Sequence, residues 1–381
     1  MSAPDYAARQ RGPDRVLLTA DGAGGVWTYT MELARALQSE GVAPVIATLG
    51  PAPSADQRAE AAEIGLPLHT RTCRLPWMEE PWADLEAAGG WLVELADRER
   101  AEVVHLSEPV LASLPWPAPT VAVGHSCVLS WWEAVLGEPA PASWGPYREA
   151  MRRGFAAAYA AVAPSHAMRC ALRRHYDVSD AQVVPNGRSP EQFPPGRKEP
   201  FVMTATRLWD EAKNAATLDA AAAGLAWPTY AAGDPTPPGG GEEACCRHLR
   251  LLGRLGSSAV ADWLGRAAVF ALPARYEPFG LSVLEAALAG CALVLGDIDS
   301  LRESWDGAAI FVRPDDAGML RTAMTELIDD PALRHLLAMR ARRRALLLSP
   351  RRMALTYLET YRRLLRESRA PAAREGTTCV S

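Results

Sequence analysis

Residues 275–290 read Arg275-Tyr-Glu-Pro-Phe-Gly-Leu-Ser-Val-Leu-Glu-Ala-Ala-Leu-Ala-Gly290. The apolar run just before them, Ala267–Leu272, is typical of a buried parallel strand. Proline and glycine then mark a loop, and the residues that follow predict a helix. This strand–loop–helix unit predicts a pocket at the carboxyl end of the strand.

Two carboxylates, Glu277 and Glu285, lie eight residues apart in this unit, on the loop and one turn into the helix. We expect the backbone amides of Phe279, Gly280 and Leu281 to be unpaired donors at the helix N-terminus, where a phosphate binds readily. Carboxylates repel a phosphate, so we interpret them as acceptors for hydroxyl groups. A ligand with hydroxyls at both ends and phosphate in the middle is a nucleotide sugar.

Lys213 follows another strand-like run, and Arg207 lies six residues before it. The chain has 40 basic residues, of which only Lys198 and Lys213 are lysines. A compact ammonium and a planar guanidinium on a turn that enters a helix could clamp a diphosphate. The alternative is that both are surface charges paired with Asp210 and Glu211. The repeated strand–helix pattern around the two glutamates favours the clamp.

Length and composition agree with a globular chain of two or three domains. The chain has 381 residues, a formal net charge of -5 and a pI of about 5.9, which disfavours nucleic acid as a partner. The N-terminus lacks the pattern of a secretion signal, and no apolar run is long enough to span a bilayer. The seven cysteines are scattered without paired spacing, so we expect a reduced, cytoplasmic location: Cys73, Cys127, Cys170, Cys245, Cys246, Cys291 and Cys379.

Apolar strand candidates alternate with helical stretches in two halves, which predicts an α/β chain with parallel sheets. The candidates in the first half are 15–20, 44–49, 103–106, 120–124 and 160–163. Those in the second half are 201–205, 229–232, 250–252, 267–272, 292–295 and 309–312. Turn-forming residues around Val184-Pro-Asn-Gly and after it place a linker near 186–200. We therefore expect one domain at 1–190 and another at 191–350.

The chain beyond Asp315 is helical in pattern and rich in arginine. Leu358, Tyr361 and Leu365 form an apolar stripe, so we expect a helix over about 351–367 that packs back on the first domain with its arginines in water. The alternative is peripheral contact with anionic lipid. The tail at 370–381 is expected to be disordered.

The loop after the first strand candidate reads Ala20-Asp-Gly-Ala-Gly-Gly-Val-Trp-Thr28 and precedes a predicted helix over 29–37. It begins like a dinucleotide fingerprint at Gly22, but Trp27 stands where the third glycine is needed. The second strand candidate also lacks an acid for a ribose, so an NAD-dependent oxidoreductase is disfavoured. The glycines could instead form a plain tight turn.

In its order of motifs the chain resembles the family 4 glycosyltransferases of the GT-B type. The motifs that carry the resemblance are Gly24-Gly25, His125, Ala163-Pro-Ser-His, Val184-Pro-Asn-Gly, Arg207 with Lys213, and the block from Glu277 to Glu285. The resemblance covers most of the chain and is most specific in the last block. It implies a GT-B fold, in which two Rossmann-like doubly wound domains face a central cleft.

The resemblance also implies roles for the donor-side residues. Glu277 would bind the hydroxyls of the transferred sugar, and Glu285 the ribose diol. Arg207 and Lys213 would neutralise the diphosphate and stabilise the departing nucleotide.

On the other side of the cleft, Gly24 and Gly25 would let backbone amides approach the donor phosphate or the acceptor. His125 would contact the transferring sugar, and His105 competes with it because both end a strand candidate.

The implied function is a retaining glycosyltransferase that moves a sugar from a nucleotide-sugar donor to an unidentified sugar, lipid-linked or small-molecule acceptor. No metal and no cofactor are expected. The first half offers no convincing nucleophilic carboxylate, so we adopt front-face departure and attack guided by the diphosphate. The alternatives are a nucleotide-sugar epimerase of the same fold and a non-catalytic sugar-binding partner.

Overall fold

The computed structural model describes residues 12–22, 24–237, 240, 244 and 246–369. Within them the chain forms two parallel sheets of seven and six strands. The strands of the first sheet, in chain order, are β1 (Arg15–Asp21), β2 (Ala43–Leu49), β3 (Leu68–Thr70), β4 (Val103–Leu106), β5 (Thr120–Val123), β6 (Ala160–Ala163) and β7 (Gln182–Val183). Those of the second are β8 (Glu199–Ala205), β9 (Thr229–Ala232), β10 (Leu249–Gly253), β11 (Ala267–Leu272), β12 (Ala292–Gly296) and β13 (Ala309–Val312).

Helices pack on both faces of each sheet, so that each sheet with its helices forms one lobe. Those that follow strands of the first sheet are α1 (Gly25–Ser39), α2 (Ala55–Ile64), α3 (Trp82–Arg98), α4 (Val128–Leu136), α5 (Gly145–Ala157) and α6 (His166–Tyr176). The second group is α7 (Ala215–Ala222), α8 (Ser257–Arg266), α9 (Leu281–Leu288), α10 (Asp299–Trp305), α11 (Ala317–Asp329), α12 (Pro331–Ala345) and α13 (Pro350–Arg369).

The strand order reverses once in each sheet. The first sheet has the order β3-β2-β1-β4-β5-β6-β7, and the second has the order β10-β9-β8-β11-β12-β13. Loops leave in opposite directions where the order reverses, between β1 and β4 and between β8 and β11. In open α/β sheets this opens a crevice at the carboxyl ends of the strands, where ligands bind. The fold therefore provides one such position in each lobe.

The central strands are apolar on both faces because helices cover both. In β1, Val16 and Leu18 lie in one buried cluster, whereas Leu17 lies in the cluster on the opposite face. In β11, Val269 and Phe270 are divided between two clusters in the same way. Such continuous apolar runs are typical of parallel strands in doubly wound sheets. This explains why the central strands, such as β1 and β11, could be found from hydropathy alone.

Two strands and one helix start differ from the sequence predictions. The strands β3 and β7 were missed because they are short edge strands, with three and two residues, that are only partly buried. The helix predicted over 29–37 begins earlier, at Gly25, because Gly24 has φ 116° and sets the turn from which α1 starts.

The last helix, α13, returns to the first lobe. Tyr357 and Leu358 are in the same buried cluster as Val16 and Leu18 of β1, and α13 packs against α1. Arginines of α13 such as Arg363 remain exposed. Within the described residues, no helix has the length and hydropathy needed to cross a bilayer. Peripheral membrane contact stays a prediction, and the tail at 370–381 lies outside the described residues.

His105 belongs to this helix contact and does not face the cleft. Its side chain is almost fully buried, and its ring nitrogens lie 2.9 Å from the Tyr29 hydroxyl and 2.7 Å from the Tyr361 hydroxyl. The Tyr29 hydroxyl in turn donates to that of Tyr357 at 2.7 Å. Tyr29 of α1 and Tyr361 of α13 thus satisfy the ring nitrogens of a side chain that the end of β4 would otherwise bury unpaired. The prediction that His105 competes for the sugar is wrong for this reason.

The buried state of His105 makes stability depend on pH. Burial, with a smaller contribution from His125, lowers the pKa of His105 from 6.5 to about 3. Between these values the unfolded chain binds a proton that the folded chain does not, so stability falls as pH falls, by at most about 1.4 kcal/mol per pH unit. We expect chemical denaturation of His105→Gln to show a flatter dependence on pH from 6.5 to 4 than the wild type. The exposed His335→Gln should keep the wild-type slope; an unchanged slope in His105→Gln would contradict this account.

Candidate functional site

The donor-side residues lie where the strand order of the second sheet reverses. Lys213 follows β8 and Glu277 follows β11, and these strands are hydrogen-bonded neighbours. The Lys213 ammonium donates to Glu277 Oε2 at 2.9 Å and to the carbonyl of Tyr276 at 3.3 Å. Asn214 adopts φ 57°, and its side-chain amide donates to the carbonyl of Pro273 after β11. The two loops are therefore fixed to each other.

Glu277 also caps the start of α9. Its Oε1 accepts from the amide of Gly280 at 3.0 Å and from that of Phe279 at 3.4 Å. Gly280 has φ 90°, which a residue with a side chain rarely adopts. The prediction that the amides of Phe279 and Gly280 are unpaired donors is wrong, because the turn brings the carboxylate of Glu277 onto them. An incoming anion has to share these donors with Glu277.

Arg207 lies at the mouth of this site and faces the first lobe. It forms an ion pair with Asp210 at 2.8 Å, as the surface-charge alternative predicted, and its side chain is 48% exposed. Gly24 has φ 116°, and a Cβ atom added to it would lie in contact with Arg207 Nη1, at 3.7 Å. A Cβ atom added to Gly25 would lie 3.3 Å from Leu281 Cδ1. Gly25 thus permits close approach of the lobes at the position where β1 and β4 diverge, and Gly24 supplies the backbone turn next to it.

Glu285 lies inside a buried network that joins the lobes. Its Oε1 accepts from Arg188 Nε at 2.8 Å, and Arg188 Nη1 donates to Glu32 Oε1 at 2.6 Å. The side chains of Glu285, Arg188 and Glu32 are 13%, 5% and 0% exposed. Burial raises the pKa of Glu285, and the Arg188 guanidinium partly offsets this effect.

Sequence analysis missed Arg188 and Glu32. Arg188 directly follows the turn Val184-Pro-Asn-Gly between the halves, and Glu32 lies among apolar residues of α1. The sequence did carry a signal for this pair: Glu32 is a charge on the apolar face of a helix, and Arg188 is a charge of opposite sign in the linker. Only the fold shows that the two residues meet.

His125 lies on the first lobe, at the end of β5. Its ring is partly exposed, and its Nε2 lies 3.3 Å from the Ser107 hydroxyl. The ring also packs edge-on against Tyr29 at 4.5 Å. Burial lowers the pKa of His125 below its ordinary value, so the ring is neutral at neutral pH. A neutral imidazole at this place can exchange hydrogen bonds with a sugar without repelling a cation.

Two family models match successive parts of the chain. Residues 23–192 match Glycosyltransferase Family 4, and residues 199–330 match Glycosyl transferases group 1. Together they cover most of the chain. The chain belongs to the family 4, group 1 glycosyltransferases. This confirms the family that the motifs predicted.

Solved structures share the fold of this chain. Sucrose-phosphate synthase from Thermosynechococcus elongatus is 19% identical, with a TM-score of 0.75 over 93% of this chain and 100% of that one. The Anabaena HepE protein in complex with UDP-glucose is 16% identical, with a TM-score of 0.72 over 91% and 98% of the two chains. These likenesses, with the two doubly wound sheets, confirm the predicted GT-B fold.

The curated relatives match over a shorter region. Glycogen synthase from Mycobacterium tuberculosis is 38% identical over 100 residues, which is 26% of this chain. The match spans 24% of the length of that relative.

The two lobes are held together next to Glu277. The Tyr276 hydroxyl accepts from the amide of Cys127 at 3.0 Å and lies 3.0 Å from the hydroxyl of Ser130, both at the start of α4. The Ser165 hydroxyl donates to the carbonyl of Pro278 at 2.7 Å. The residues on either side of Glu277 are therefore bonded to the first lobe.

A second contact of the same kind lies at the start of α6. The carboxylate of Glu303, on α10, accepts from the amides of His166 at 2.9 Å and Ala167 at 3.1 Å. A carboxylate at a helix N-terminus is stabilised by the helix dipole and satisfies free amides. Ser165 caps the same helix by accepting from the amide of Met168 at 3.0 Å, so the carboxylate from the opposite lobe adds a second cap.

Removal of the Tyr276 hydroxyl tests the contact between lobes. Tyr276→Phe keeps the ring but leaves the Cys127 amide without its acceptor, so we expect the free energy of unfolding to fall by about 1–3 kcal/mol in chemical denaturation. Tyr230→Phe is the matched control and should cost less, because among the described residues its hydroxyl accepts from the exposed Arg250 side chain, at 3.1 Å. Equal losses in the two variants would mean that the hydrogen bond between the lobes adds nothing to the free energy of unfolding.

Proposed function

We propose that the chain is a retaining glycosyltransferase that transfers a sugar from a nucleotide-sugar donor to an acceptor hydroxyl without a metal. The observation that carries the proposal is the contact of Lys213 with Glu277 at the reversal of the second sheet, with Arg207 next to Gly24 across the cleft. Cations for a diphosphate and a carboxylate for hydroxyls thus lie together at the place where this fold binds ligands.

Each part of the donor has a matching position in the site. The diphosphate would lie against Arg207, Lys213 and the start of α9, where it would share donors with Glu277. Glu285 would accept from the ribose, and Glu277 from the sugar. The family membership and the structural likeness to a protein solved with UDP-glucose support a nucleotide-sugar donor.

In the proposed reaction the bond between the anomeric carbon and the diphosphate oxygen breaks, and the electron pair stays on the diphosphate. Fixed cations at Arg207 and Lys213 stabilise that charge without moving, which lowers the barrier. The acceptor hydroxyl attacks from the face that the diphosphate leaves, and its proton passes to the departing phosphate oxygen. His125 would orient the sugar from the first lobe. Contact between the lobes would exclude water.

Nucleotide binding tests the donor side. In calorimetry against UDP-, GDP- and ADP-sugars we expect one donor class to bind the wild type. Glu285→Ala should weaken that binding by about tenfold to hundredfold, because a hydrogen bond to a charged acceptor is lost. Glu359→Gln, on the exposed face of α13, is the control and should bind like the wild type. Unchanged binding in Glu285→Ala would contradict the proposal that Glu285 binds the ribose.

Turnover tests the cations. Lys213→Ala should reduce kcat by about 10²–10³-fold with a smaller change in donor affinity, because its charge acts mainly as the nucleotide departs. Arg302→Ala, which breaks an exposed ion pair with Asp297, is the control. Wild-type kcat in Lys213→Ala would contradict the proposal, and turnover of the donor without any acceptor would instead indicate an epimerase.

The configuration of the product tests the stereochemistry. With an α-linked donor we expect nuclear magnetic resonance to show an α-linked product, formed at the same rate in EDTA as in Mg²⁺. A β-linked product would contradict front-face attack, and loss of rate in EDTA would contradict metal independence.

A further inference from the structure

The linker between the lobes is fixed around Arg188. The guanidinium lies 4.8 Å above the ring of Phe193, and the backbone amide of Arg188 donates to the carbonyl of Leu348 at 3.1 Å. A Cβ atom added to the preceding Gly187 would lie 2.4 Å from the carbonyl carbon of Ser349. Position 187 therefore has no room for a side chain, because the linker backbone lies directly against the backbone of Ser349 and Pro350.

Glu32 is held by the same linker on both of its oxygens. Its Oε1 accepts from Arg188 and from Gln192 Nε2 at 3.0 Å, and its Oε2 accepts from the Ser189 hydroxyl at 3.0 Å. Glu32 lies on α1, the helix that begins at Gly25. The glycine loop of the first lobe and the linker are thus joined through one fully buried carboxylate.

Arg188 leaves one oxygen of Glu285 unused. Among the described residues, the hydrogen bond that Glu285 receives goes to Oε1, from Arg188 Nε. Oε2 therefore remains the acceptor that a ribose hydroxyl could use. Since Arg188 uses Nε for Glu285 and Nη1 for Glu32, its planar fork fixes the direction of one carboxylate relative to the other.

We propose that Arg188 is a positioning residue that orients Glu285 toward the donor ribose only while the lobes hold Glu32 against the linker. This inference rests on the proposed function, because it assigns Glu285 to the ribose. It makes nucleotide affinity depend on Glu32, a residue of the opposite lobe that is too buried to touch a nucleotide. A lysine at position 188 cannot replace the arginine, since a single ammonium lacks the two separated donors.

The test measures binding of UDP, GDP or ADP, whichever binds the wild type most tightly, and of its 2′,3′-dideoxy counterpart. We expect Arg188→Lys to raise the Kd of the ordinary nucleotide about tenfold and to leave the Kd of the dideoxy nucleotide within about twofold of the wild type. The dideoxy nucleotide has no ribose hydroxyl for Glu285, so a positioning effect disappears with it. A merely structural defect would weaken both ligands equally, and that result would overturn the inference.

A second variant covers the case in which Arg188→Lys does not fold. Glu32→Asp keeps the charge but withdraws the carboxylate by one methylene, and should show the same selective loss. The control is Glu40→Gln, which breaks the exposed contact with Arg351 at the other end of α1 and should bind both nucleotides like the wild type.

The two proposals fail differently. If the wild type binds no nucleoside diphosphate, the proposed function and this inference are both overturned. If the wild type binds and Glu285→Ala loses affinity while Glu32→Asp binds like the wild type, the inference alone is overturned.

Discussion

One buried guanidinium, that of Arg188, holds carboxylates from both lobes. Removing Glu32 and Glu285 from water is costly, and Arg188 offsets that cost only when all three residues meet. They meet only when α1, the linker and α9 have the relative positions that the structure shows. The same positions bring Gly24 to Arg207 and Gly25 to Leu281, so the shape of the cleft depends on this contact.

In the proposed donor site, too, one charged side chain bonds residues from separate elements, but this site is less buried than the network around Arg188. The carboxylate of Glu277 pairs with the Lys213 ammonium and also caps the N-terminus of α9. One side chain therefore occupies both the cation and the helix terminus. A diphosphate carries more negative charge than one carboxylate and would compete with Glu277 for both. Release of Glu277 from the helix terminus would free it for sugar hydroxyls. Binding and orientation of the sugar would then be coupled through a single side chain.

Sequence patterns predicted the fold well because parallel strands covered on both faces are continuously apolar, as in β11. They could not predict β7, whose two residues carry no such signal. Contiguous motifs marked Lys213 and Glu277, but not their direct contact or the pairing of the Phe279 amide. His105 and His125 look alike in sequence, since both end a strand. The structure distinguishes them, because α13 packs over His105 and buries it, whereas His125 stays partly exposed.

The most direct measurement is a crystal structure of the protein with the nucleotide sugar that it binds. The account predicts the diphosphate between Arg207, Lys213 and the start of α9, with a ribose hydroxyl on Glu285 and Arg188 still bonded to that carboxylate. A nucleotide bound elsewhere, or a ribose that does not touch Glu285, would contradict it.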